Sequence, residues 1–106
     1  MVALFSSLLT DSEIGNANLT LRQFAVLESV YQPNHTAPGV RELTHSLNIS
    51  KPSVTRSLDR LSVLGLIDRR TDPVDRRLVV IRTTKTGSAF VKRLRGLCAS
   101  GMQAAA

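Results

Sequence analysis

Cysteine is nearly absent: Cys98 stands alone in a chain of 106 residues. A single thiol excludes an internal disulfide and fits a reducing, cytoplasmic setting. No apolar run approaches the roughly 20 residues that a membrane span needs. Residues 1–9 are apolar but have neither a basic start nor a small-residue cleavage site, so they read as helix and not as a signal peptide. The two histidines, His35 and His45, have no cysteine or acid cluster beside them, and the ligand count for a metal site is not reached. No Gly-rich nucleophile elbow, Ser/His/acid arrangement, phosphate loop or dinucleotide fingerprint is present. The close carboxylates Asp72 and Asp75 are expected to pair with neighbouring arginines instead of standing free for acid–base work. An enzyme is therefore not expected, and neither is a metal or other cofactor.

The first half of the chain also lacks positive charge. Residues 1–49 hold only Arg22 and Arg41 against four acids, whereas residues 50–106 hold twelve basic side chains against four acids. A basic half points to a polyanionic partner, either nucleic acid or an anionic membrane surface. The length suits one small domain over residues 1–106 with a single core, and 42% hydrophobic content is enough to fold it.

Residues 50–64 read SKPSVTRSLDRLSVL and form the stretch around which the rest is arranged. Ser50 is a good N-cap, Pro52 is tolerated in the first turn, and Gly65 supplies a left-handed stop with Leu66 folding back. Val54, Leu58, Leu61 and Leu64 make one apolar stripe. The opposite face carries Lys51, Ser53, Arg56, Ser57 and Arg60, with Asp59 nearby. Because the core uses the stripe, no apolar face is left to insert into lipid, and nucleic acid is the better partner.

In the rest of the chain, residues 10–18 are polar and read as a connection. Thr20 and Gln23 form a capping box, and Leu19 and Phe24 stand at hydrophobic-staple positions. Phe24, Leu27 and Tyr31, widened by Val26 and Val30, predict a core helix that ends at Pro33. Residues 33–39 read as a turn-rich loop with room for a very short strand. Residues 40–47 predict a second helix, stopped at Asn48. Two helices across a short turn give a helix-turn-helix, whose second member enters the major groove. Residues 66–71 and 78–83 read as paired strands, a wing over residues 66–83 with Arg76 and Arg77 at or near its tip. A last helix over residues 84–103 carries Ala89, Phe90, Leu94, Leu97 and Cys98 inward, with Val91 and Met102 at the margins of that stripe and Gly96 and Gly101 weakening its end. The fold class is mainly α with a small β-hairpin, a winged helix-turn-helix.

The run from Leu19 to Gly87 resembles the MarR-type winged-helix transcription regulators. The likeness rests on Leu19-Thr20 with Gln23, Val54-Thr55-Arg56, Leu58-Asp59-Arg60-Leu61, Gly65-Leu66-Ile67 with Arg69, Asp75-Arg76-Arg77, and Thr84 with Gly87. It implies a sequence-specific regulator of transcription, typically a repressor that binds a palindromic site in double-stranded DNA as a homodimer. Ser50, Lys51, Ser53, Thr55, Arg56 and Arg60 would lie in or beside the major groove. One of Arg76 and Arg77 would enter the minor groove while Asp75 sets the loop through an ion pair. With only residues 2–9 ahead of the first core helix and one helix after the wing, the chain reads as a short member lacking the full dimerisation helices. Its dimer would use the stripes of the terminal helices, and a small-molecule effector stays open. An alternative is a protein-interaction module that modulates a full-length regulator by forming mixed dimers. Cys98 is a candidate redox switch, set against the plainer role of a small apolar residue on an inner face.

Overall fold

The computed structural model of the chain describes residues 6, 8–12, 14–31 and 38–105, with the side chains of residues 100–105 outside that description. The elements run α1 (Ile14–Ala17), α2 (Leu21–Val30), α3 (Val40–Leu47), α4 (Lys51–Val63), β1 (Ile67–Thr71), β2 (Val79–Thr83) and α5 (Lys85–Ala105). Residues 8–10 are also helical. The architecture is a winged helix: helices around α4, with one antiparallel hairpin after it. Most of the helix expected over residues 2–9, and the site of the short strand expected within 33–39, lie outside the described residues.

Each helix boundary near α4 has a local cause. At α2, Thr20 Oγ1 accepts from the Gln23 amide, and Gln23 Oε1 accepts from the Thr20 amide, closing the capping box. Asn48 takes φ of 53° after α3, a left-handed stop that asparagine tolerates. Ser50 then caps α4 by accepting from the Ser53 amide, with Pro52 in the first turn, where its missing donor costs little. At the other end Gly65 has φ of 74°. Its amide donates to Ser62 O, and the Leu66 amide donates to Leu61 O. That pair of reversed bonds is a Schellman stop, and it turns Leu66 inward to 4% exposure.

α4 packs against α2, α3 and β1. Val54, Leu58 and Leu61 are fully buried, and Leu64 is half-buried at the edge of the same core. Burying each leucine contributes about 1.5–3 kcal/mol. On α2 the deepest residues are Val26, Leu27 and Val30, not the Phe24–Leu27–Tyr31 line. The two rings lie at the margin because each reaches α5: Phe24 stacks on Phe90 at 6.3 Å, and Tyr31 lies 4.9 Å under the Arg95 guanidinium.

Two expectations need correction. Residues 10–18 are not a plain connection, because Ile14–Ala17 is helical and Ile14 is buried. Asp11 Oδ1 accepts from the Ile14 amide and starts the turn, and Asn18 stops it at φ of 52°. One apolar residue in a polar stretch shows no period, so nothing in the pattern announced this helix. On α5, Ala89 is exposed, while Val91, expected at the margin, is fully buried. The helix also continues through Gly96 and Gly101 to Ala105. Its start is set by Thr84, whose hydroxyl donates to Gly65 O at 2.6 Å and accepts from the Gly87 amide at 3.0 Å. Gly87 is buried so close to the Leu66 carbonyl that a Cβ would lie 1.8 Å from its oxygen.

Candidate nucleic-acid interface

Burial of Val54, Leu58 and Leu61 turns Lys51, Thr55, Arg56 and Arg60 outward, and all four are exposed. Ser50 is exposed and committed to the cap, its hydroxyl also donating to Ser53 Oγ at 3.0 Å. Ser53 is half-buried. Ser57 departs from its expected place on this face: it is only 5% exposed. It falls one residue before Leu58 on the core side of α4 and lines a recess shared with α2.

Two recesses flank the N-terminal half of α4. One, about 470 Å³, lies toward α2 and is lined by Arg22, Ser53, Arg56 and Ser57 among others. The other, about 950 Å³, lies toward α3 and includes Arg41, His45 and Lys51. Arg22 and Arg41 were not singled out from sequence, because the first half was judged by its net negative charge. The signal was there to use: they are the only two cations in residues 1–49, and both fold to the sides of the same helix.

Ion pairing divides the cations. Arg69, Arg70, Arg77, Arg93 and Arg95 pair with Asp59, Asp68, Asp75, Asp11 and Glu28. Arg22, Arg41, Lys51, Arg56, Arg60, Arg76, Arg82, Lys85 and Lys92 have no carboxylate partner among the described residues; six of these nine lie on α4, beside it or at the hairpin tip. The Asp59–Arg69 pair, at 2.8 Å, ties β1 to the solvent side of α4. It thereby couples the hairpin to the exposed cationic face.

At the hairpin tip Asp75 meets Arg77 three times, accepting its amide at 3.1 Å and its Nε at 3.2 Å on one oxygen and its Nη2 at 3.4 Å on the other. The Arg77 side chain and then its amide hold the Asp75 carboxyl below the usual carboxylate range. Asp72 makes no ion pair among the described residues, contrary to expectation. Its Oδ1 accepts the Val74 amide at 2.7 Å and the Asp75 amide at 3.0 Å, and these two backbone donors hold its carboxyl below the ordinary range. Arg76 is left exposed beside them.

Cys98 is half-buried on α5. Of the cations close to it in sequence, Arg93 and Arg95 are engaged by Asp11 and Glu28, and Lys92 is exposed. Among the described residues no cluster of three or more His, Cys, Asp or Glu is placed to hold a metal. No described helix is long and apolar enough to cross a membrane.

A family model described as the MarR family matches residues 19–79. The chain is 29% identical over 77 residues to an uncharacterized HTH-type transcriptional regulator of Mycobacterium leprae, covering 73% of this chain and 52% of that protein. It thus spans about half the length of the curated relatives it matches. Among solved structures, wild-type MarR of E. coli in its apo form superposes with a TM-score of 0.70 at 29% identity, covering 89% of this chain and 64% of that one. The transcriptional repressor CouR bound to a 23-mer DNA duplex superposes with a TM-score of 0.70 at 28% identity, covering 92% and 66%.

Proposed function

Because the chain belongs to the MarR family, we propose that it is a sequence-specific double-stranded DNA-binding transcription regulator, a repressor that binds a palindromic operator as a homodimer. The observation that carries this reading is the partition of charge. The cations on and beside α4 meet no carboxylate among the described residues, whereas both arginines of β1 and both arginines of α5 are paired. A cation without an internal partner has no ion pair to give up when a phosphate or a base edge approaches.

Arg56 and Arg60, with Lys51, Ser53 and Thr55, face the major groove, where an arginine can pair bidentately with the O6 and N7 of guanine. Arg22 and Arg41 flank the helix and hold the phosphate backbones on either side of that groove, contacts that set register and not sequence. Ser50 secures the helix start at the DNA. In the wing Arg77 is spent on Asp75, so Arg76 is the arginine that enters the minor groove. Dimerisation through the terminal helices places two such lobes on two half-sites.

Salt titration of binding by fluorescence anisotropy tests the reading. With ~6 phosphates neutralised per dimer, the log–log slope should be near −5. Binding that does not change between low and moderate salt would overturn it. Mass measured in solution with and without duplex DNA tests the dimer.

A further inference from the structure

The larger recess beside α4 holds a titratable side chain, His45, in the company of Arg41 and Lys51. Arg41 and His45 stand four residues apart on α3, a spacing that puts them on one face of the helix. Both are exposed, and both line the recess of about 950 Å³ together with Asn48, Ser50 and Lys51. Among the described residues no carboxylate lines it. The one acid of α3, Glu42, is folded back over the helix start: its Oε2 lies 2.7 Å from the point that a Cβ on Gly39 would occupy. That point is roughly 9 Å along the axis from His45, at the usual helical rise. The helices packed on α3 are α2 and α4. Each has one acid, and each acid is engaged elsewhere, Glu28 by Arg95 and Asp59 by Arg69. The His45 side chain itself makes no hydrogen bond or ion pair among the described residues.

An imidazole changes charge between about pH 5 and 8, where arginine and lysine do not. A phosphate oxygen set beside an imidazole favours its charged form, in which both ring nitrogens donate. In the DNA-binding reading Arg41 holds a phosphate on this side of α4, and a charged imidazole one turn further along α3 reaches the same strand. We propose that His45 in its protonated form holds a backbone phosphate of the bound duplex, so that each lobe takes up a proton on binding and affinity falls as the pH rises. This rests on the DNA-binding reading and adds to it a contact residue and a dependence on pH. The contact carries no sequence information of its own, because a phosphate is the same at every step.

The test is fluorescence anisotropy of the whole chain with a duplex of about 30 base pairs enriched from a random-sequence library, enough for two half-sites. Binding is measured over a salt series at about pH 6 and about pH 8, either side of the ordinary histidine value. The unaltered chain should bind roughly threefold more tightly per lobe at the lower pH. Its log–log salt slope should steepen by about 1 per lobe, the mark of one more phosphate neutralised. His45→Gln should keep the weaker affinity and the shallower slope at both pH values. His45→Lys should keep the stronger affinity and the steeper slope at both. Melting temperature should match the unaltered chain in each variant, since the side chain is exposed and a purely structural role would move melting without moving the salt slope. Glu42→Gln should leave the pH dependence in place, as should His35→Gln at the other histidine. If His45→Gln keeps the pH dependence, or if Glu42→Gln or His35→Gln removes it, His45 is not the group and the proposal fails. An unaltered chain that binds with one affinity and one salt slope at both pH values overturns this proposal alone. A chain that binds no duplex at either pH overturns the DNA-binding reading and this one with it.

Discussion

On α4 the side chains of Lys51, Arg56 and Arg60 meet no carboxylate among the described residues, whereas on α5 Arg93 and Arg95 meet Asp11 and Glu28. Both helices read as amphipathic with a basic outer face. The difference lies in where the acids come from. Asp11 is 82 residues from Arg93 and Glu28 is 67 from Arg95, so the α5 arginines lash the last helix to the first two. Arg95 also lies over the Tyr31 ring. The one acid on the exposed side of α4, Asp59, is drawn off by Arg69 of the hairpin. Arginines alike in sequence therefore serve cohesion at Arg93 and Arg95 and stand open at Arg56 and Arg60, while the lysines of α5, Lys85 and Lys92, are exposed as Lys51 is.

The comparison breaks most heavily through the core beneath α4. Leu58→Ala should lower the unfolding free energy by about 2–5 kcal/mol, read from urea denaturation. A loss below about 1 kcal/mol would mean that another face of α4 is turned inward. Arg56→Ala should leave denaturation unchanged and weaken binding to a selected duplex by about 1–3 kcal/mol, with relaxed preference at one base position if it pairs with guanine. Arg95→Ala should do the reverse. It should lower stability only slightly, because the pair with Glu28 is half exposed and screened by solvent while the ring contact adds a little. DNA affinity should barely move. If Arg95→Ala weakened binding as much as Arg56→Ala, the division between cohesive and free cations would be wrong.

The smallest effect is acidification. Asp72 and Asp75 both have folded values below the ordinary 3.8. A depressed folded value means that the ordering of the tip is complete above the unfolded value and is lost as pH falls through the folded one. Amide protection at Val74, Asp75 and Arg77 should therefore hold from neutral pH down to about 4 and decline only below it. Loss of protection near pH 6 would point to some other group.

Much of the frame was legible because it is written in short-range chemistry. Thr20 and Gln23 cap α2, Ser50 caps α4, Asn48 and Gly65 take the left-handed stops, and each hairpin strand begins one residue later than read. The stripe of Val54, Leu58 and Leu61 is inward as its spacing required. What escaped the reading has a physical pattern too. The α1 turn hangs on one buried side chain, Ile14, and a capping Asp11, too little to show a period. Ser57 looked outward by chemistry, but it stands three residues after Val54 and four before Leu61, and that spacing takes it in. Asp72 looked like an arginine partner, yet the backbone amides two and three residues on reach it first.

From the order of residues alone came α2 to α5, the stops after α3 and α4, the hairpin and the basic face of α4, since caps, periods and turns act over a few residues. Only the folded chain decided which cations remain open to a partner. That depends on acids brought from the far end of the sequence, and on Arg22 and Arg41 arriving from an acidic half to stand beside α4. Charge is counted along the chain, but it is neutralised through space.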